Sequence, residues 1–143
     1  MTDQQAATAA APTIFPVLRY ADATKAVEWL RDAFGFCTVY AVPDPNGTIS
    51  HAEMSFGTGI VMFGPTRPGT PAPDGAADPS AARHAIYVYV DDVEAHAARA
   101  IAAGAEITRE LAATDYGSIG YSALDFEGNH WSFGSYLPRA DQG

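Results

Sequence analysis

Among the 143 residues there is one cysteine, and Lys plus Arg number only 8 against 17 Asp and Glu. No apolar run approaches the roughly 18 residues that a membrane-spanning helix needs. Each shortage excludes something. The lone thiol, Cys37, cannot close a disulfide within the chain, and its apolar setting Phe34-Gly35-Phe36-Cys37 points to a buried, inert side chain. Residues 1–12 are polar and then Ala-rich, without the basic start and apolar run of a signal peptide, so the chain reads as cytoplasmic. A net charge of −9 repels phosphate backbones and anionic lipid surfaces, which leaves neither nucleic acid nor a membrane as an expected partner. The same field concentrates cationic small molecules around any cleft.

What is present is enough for a core. Apolar residues make up 48% and aromatics 11% of the chain, a globular composition of about one domain's length. Two stretches are poor in core formers: the tail before Thr13, and the Pro/Gly-dense run from Gly64 to about Ala82, which can hold neither a helix nor a central strand. The expected organisation is a disordered tail at 1–12, modules at 13–63 and 83–136 joined by a linker at 64–82, and a C-terminal tail at 137–143.

The two modules repeat one plan. The first opens with a strand over Ile14–Tyr20, then Asp22 as N-cap, then a helix with Ala26, Val27, Leu30, Ala33 and Phe34 on one face and Gly35 closing it. The second gives a strand over Ala85–Val90, a cap at Asp91 or Asp92, and a helix with Val93, Ala97, Ala100 and Ile101 inward, closed by Gly104. Strands follow each glycine: Phe36–Val42, His51–Phe56 and Ile60–Phe63, then Glu106–Leu111, Gly120–Phe126 and His130–Phe133. Each half is βαβββ. One helix covers one sheet face and leaves the other uncovered. Two copies together predict an α+β protein with a curved eight-stranded mixed sheet around a concave cleft.

Leu18-Arg19-Tyr20-Ala21-Asp22 with Ala33-Phe34-Gly35-Phe36, then His51-Ala52-Glu53-Met54, Tyr87-Val88-Tyr89-Val90-Asp91-Asp92-Val93, Ala102-Ala103-Gly104-Ala105, Asp115-Tyr116-Gly117 and Asp125-Phe126-Glu127-Gly128-Asn129-His130-Trp131-Ser132-Phe133 carry a family pattern. In order and spacing, they resemble the glyoxalase, bleomycin-resistance and extradiol-dioxygenase group, the vicinal oxygen chelate superfamily. The resemblance runs from about Ile14 to Tyr136. It implies paired βαβββ modules and commonly a homodimer, but no single activity. In the metal-dependent members four inward positions hold His or Glu, and here those positions fall on Phe15, Glu53, Ala85 and Ser132. One ligand among four departs from the family's divalent-metal centre. A shift of one position would substitute His84, but Ile86, Val88 and Val90 form the β-branched face expected beneath a helix, leaving Ala85, Tyr87 and Tyr89 inward.

Strand alternation assigns His51, Glu53 and Ser55 to the cleft face of one half, and Tyr121, Ala123 and Asp125 to the matching face of the other, with His130 and Ser132 beyond. Met54, Phe56, Trp131 and Phe133 then serve the core. Three readings of the polar set stand open. His51, Glu53 and His130 have the ligand types of a displaced two-His, one-carboxylate metal site for iron or zinc. Glu53 could be a general base with His51 or His130 as its acid partner. Or the histidines are structural and Glu53 pairs with Arg19. Phe15, Arg19, Tyr87, Tyr89, Tyr116, Tyr121 and Ser132 are candidates for ligand contact, the tyrosines suiting planar heterocycles and cations. Tyr116-Gly117-Ser118 lies between strands as a closing loop or a turn, and His96 reads as solvated. The favoured function is metal-free sequestration of a small organic molecule, drug or metabolite, such as a cationic aromatic, with no cofactor. The alternative is a lyase, isomerase or dioxygenase of the same superfamily using His51, Glu53 and His130, with or without a divalent metal.

Overall fold

The computed structural model describes residues 12–74 and 78–140. The expected N-terminal tail apart from Pro12, the middle of the linker and the last three residues of the C-terminal tail lie outside the described residues. The chain divides into two compact units, 1–70 and 71–143.

In the first unit, β1 (Val17–Tyr20) starts three residues later than Ile14 because Pro16 has no N–H to give the ladder; its carbonyl instead accepts from Met62 N–H at 3.0 Å. The Asp22 carboxylate accepts from Lys25 N–H at 2.9 Å and caps α1 (Ala23–Trp29). The helix widens into a π-helical turn, Leu30–Phe34, and ends at Gly35, whose φ of 84° is left-handed backbone that glycine adopts without strain. Ala26, Leu30, Ala33 and Phe34 are fully buried, as the periodicity predicts. Strands β2 (Cys37–Pro43), β3 (Ile49–Phe56) and β4 (Gly59–Pro65) follow, in sheet order β1-β4-β3-β2, with β1 parallel to β4. Strand β4 runs two residues into the stretch expected to be linker. Cys37 is exposed, contrary to expectation, because β2 is the outermost strand and its side chains are left largely uncovered in this unit.

The second unit repeats the plan: β5 (Ile86–Tyr89), α2 (Val93–Ala102), β6 (Glu106–Ala113), β7 (Ile119–Leu124) and β8 (His130–Gly134), ordered β5-β8-β7-β6 with β5 parallel to β8. Asp92 is the N-cap, accepting from Ala95 N–H at 3.1 Å, while Asp91 accepts from the Tyr89 hydroxyl. The inward face of α2 is Val93, His96, Ala97 and Ala100. Ile101 is 57% exposed, so the expectation for these two side chains is reversed: His96 occupies the i+3 place on the stripe and Ile101 falls off it. The β7–β8 connection is built around Asp125, 5% exposed, whose carboxylate accepts from Glu127 N–H, Asn129 N–H, the Asn129 amide and Trp131 Nε1–H at 2.9–3.3 Å.

The α+β class and the two βαβββ modules stand, with the eight strands hydrogen-bonded as two sets of four. Among the described residues no helix is long and apolar enough to cross a membrane.

Candidate functional site

Residues directly opposite in a ladder point their side chains to the same side of the sheet. In the second unit Val88, Phe133 and Tyr121 align across β5, β8 and β7, and Tyr87, Ser132 and Ser122 align one step away. The first set lies under α2: Tyr121 is fully buried, its hydroxyl 2.6 Å from His96 Nδ1, and its ring stacks on Phe133 at 5.2 Å. This corrects the expectations for four residues. Tyr121 and Ala123 face the helix rather than the cleft, Asp125 is buried in the β7–β8 connection, and His96 is a buried partner of Tyr121 rather than a solvated side chain. The opposite face presents Tyr87, Ser122, Ser132 and the paired Gly120 and Gly134.

On that face lies a pocket of about 300 Å³. Gly120 and Gly134 form part of its lining, and each is a glycine for a reason of space. A Cβ on Gly134 would stand 2.8 Å from the Tyr87 hydroxyl and 3.1 Å from the Ile119 carbonyl; one on Gly120 would stand 2.9 Å from the Phe133 carbonyl. The walls are Tyr87, Tyr116, Tyr136 and Arg109. Tyr87 donates its hydroxyl to the Tyr136 carbonyl at 2.6 Å, and partial burial pushes its phenol above the usual tyrosine value, so it stays a neutral donor. Tyr116 and Tyr136 meet edge to face at 5.9 Å. The 114–118 connection is a pinned turn, closed by Thr114 N–H to the Ser118 carbonyl at 2.8 Å and by their two hydroxyls at 2.7 Å. Arg109 Nε donates to Ser122 Oγ at 3.4 Å, and Ser122 Oγ shares a hydrogen with Ser132 Oγ at 2.8 Å.

Of the residues named from sequence, Tyr87 and Tyr116 line this pocket. Tyr89 shares their face but is held by Asp91 at 2.8 Å, a bond that raises its pKa, and does not line it. Ser132 sits on the same face beside Ser122. His130 does too, with its Nδ1 buried and without a hydrogen bond. Arg109, Tyr136 and Pro138 were not anticipated. Tyr136 and Pro138 lie beyond the last strand, where alternation ends, and Pro138 falls in the expected tail. Arg109 is displaced by a bulge: Ile107 pairs with Ala123 on the helix side, but the next regular pair is Arg109 with Ser122 on the other face.

In the first unit, His51 Nε2 and Glu53 Oε2 are 2.9 Å apart, on the face away from α1, with the Tyr40 ring 6.4 Å from the imidazole. Glu53 therefore pairs with His51 and not with Arg19, which is exposed and lies beside Gly64. Phe15 is also exposed, ahead of β1. The four positions the family resemblance assigns to a metal are Phe15, Glu53, Ala85 and Ser132, and that donor set of one carboxylate and one hydroxyl does not fit a divalent ion. Among the described residues no three His, Cys, Asp or Glu side chains are grouped to hold one.

A model of the Glyoxalase/Bleomycin resistance protein/Dioxygenase superfamily matches residues 13–133. TioX from Micromonospora sp. ML1 is 35% identical in sequence, with a TM-score of 0.72 over 88% of this chain and 99% of that one. A superfamily member from Sphaerobacter thermophilus DSM 20745 shares the fold at 16% identity, with a TM-score of 0.64 over 87% of this chain and 96% of that one. An uncharacterized protein of Mycobacterium tuberculosis (strain ATCC 25618 / H37Rv) is 30% identical over 130 residues, 86% of this chain and 74% of the relative. With both modules, their strand order and this match in agreement, the chain belongs to the Glyoxalase/Bleomycin resistance protein/Dioxygenase superfamily.

Proposed function

We propose that this protein binds small planar aromatic molecules non-covalently in the pocket of its second unit, removing them from solution by mass action with no bond broken. The observation that carries the reading is the pocket's construction: three tyrosines around a glycine-lined recess of about 300 Å³, within the usual size range of small-molecule sites. Tyrosine rings offer flat apolar area with few rotatable bonds and a hydroxyl to orient the guest. The reading takes the protein as a cytoplasmic homodimer that acts without a metal, and antibiotic sequestration is one use of such a site. Titration with planar aromatic compounds, followed by tyrosine and tryptophan fluorescence, tests it. Saturable quenching that weakens at least about fivefold in Tyr116→Ala is expected, from loss of roughly 1 kcal/mol of ring contact. No quenching by any compound contradicts it.

A second reading has a specific observation behind it. The His51–Glu53 pair at 2.9 Å is a proton-transfer couple in reach of solvent, suited to an isomerase or lyase. Metal analysis and turnover assays on protein purified without chelator separate the two. Stoichiometric iron, zinc, nickel or manganese that disappears together with activity in Glu53→Ala would establish the enzyme and displace the binder.

A further inference from the structure

Among the side chains lining the second unit's pocket there is one ionic group, Arg109, and no carboxylate. The unit around it is strongly acidic, with four arginines against eleven Asp and Glu in residues 71–143. Yet among the described residues the Arg109 guanidinium makes no ion pair. Its single hydrogen bond is the long 3.4 Å contact from Nε to Ser122 Oγ, which leaves both terminal nitrogens without an acceptor. One of them lies over the recess: Nη2 is 3.7 Å from the point where a Cβ on Gly120 would stand. The missing side chain at Gly120 thus opens room beside the free end of the guanidinium.

We propose that the pocket selects aromatic ligands carrying an anionic oxygen, a carboxylate or phenolate, which Arg109 receives through its terminal N–H groups while the ring lies on the tyrosine walls. The proposal rests on the aromatic-binding reading above and adds its charge class. A guanidinium presents its donors in a planar fork that matches a carboxylate, and charge-assisted hydrogen bonds are about twice as strong as neutral ones. The unit's carboxylates oppose an anion from a distance, but at physiological ionic strength their field is screened over about 8 Å, whereas a contact pair inside the recess is screened far less. A cationic ring in the same place would meet like charge from Arg109, which turns the expectation of a cationic ligand around.

The test is isothermal titration calorimetry of the full chain at neutral pH with three ligands of one shape: naphthalene-2-carboxylate, naphthalene-2-carboxamide and 2-naphthylmethylammonium. The carboxylate is expected to bind about tenfold tighter than the carboxamide, and the ammonium weakest. In Arg109→Gln the carboxylate-to-carboxamide ratio falls to about one, and in Arg109→Lys part of the ratio returns, since the charge is kept but the fork is lost. Arg109 is exposed on β6, so both variants are expected to fold, which circular dichroism checks. If the carboxamide binds and the carboxylate binds no better, or if the carboxylate preference survives in Arg109→Gln, the charge inference is overturned and the aromatic-binding reading stands. If none of the three binds, both are overturned.

Discussion

Gly134 has no side chain because Tyr87 occupies the space one would need. Gly134→Ala puts a methyl group 2.8 Å from the Tyr87 hydroxyl and 3.1 Å from a backbone carbonyl that cannot move without disturbing β7. Overpacking of this kind costs about 1–3 kcal/mol. The expected outcome is a lower denaturation midpoint together with weakened aromatic binding, read by urea titration and fluorescence; unchanged affinity would show that Tyr87 is not a wall of the site. Asp125 is the converse case, a residue whose worth is structural. Its carboxylate holds four donors, one of them the indole of fully buried Trp131. Asp125→Ala orphans them, and at about 1–3 kcal/mol for a buried unsatisfied donor the loss should be about 3 kcal/mol in urea denaturation. Regular alternation in β5 places Tyr87 on the face away from the helix, and Tyr116 sits in the 114–118 turn between clear strands; both line the pocket. The sequence could not show Arg109, because one register shift between Ile107 and Arg109 turns it to the other face and a second, before Ala112, restores the original alternation.

Helix α2 and strand β7 show the same issue at the scale of elements. Both βαβββ plans, the Asp22 cap, the second cap to within one residue (Asp91 or Asp92) and both closing glycines were readable from the chain, since capping and periodicity are local. The face of β7 was not, because it depends on register. Trp131 and Phe133 were rightly placed in the core, and the β7–β8 pairing puts odd residues opposite odd ones, so Tyr121 had to join them. His96 follows: an imidazole on the buried stripe is stabilised by the Tyr121 hydroxyl at 2.6 Å. Tyr121→Phe keeps the ring stack but removes that hydroxyl, and should cost about 1–2 kcal/mol in stability. Because Tyr121 lies beneath the helix, aromatic affinity should change by less than about twofold; a larger change would restore it to the ligand face. The phenol also sets an alkaline limit. Burial pushes the Tyr121 pKa well above its ordinary value of 10.0, so the native state keeps the proton to higher pH than the unfolded chain does. Its contribution is therefore fully present below pH 10.0 and is lost as pH rises toward the folded value. Urea midpoints should fall above that pH, and phenolate absorbance should show at least one tyrosine ionising only on unfolding.

For the whole molecule, duplication explains most of what could be read from sequence: two copies of one plan made the fold visible even though each motif is short. Duplication also hides the difference that matters for function. The first unit carries His51 and Glu53 with Tyr40 nearby on its face away from the helix, whereas the second carries tyrosines, paired glycines and an arginine without a counter-ion. Composition and net charge average over the two, which is why an acidic chain suggested a cationic guest while the pocket holds a cation of its own. If the second unit's pocket is the binding site, ligand should be felt by its lining residues first. The most direct measurement is a two-dimensional 1H–15N correlation spectrum of the full chain recorded during titration with naphthalene-2-carboxylate. Saturable shifts are expected at the amides of Tyr87, Arg109, Gly120, Gly134 and Tyr136. Shifts centred instead on His51 and Glu53, or on α2 beneath Tyr121, would contradict that assignment of the site.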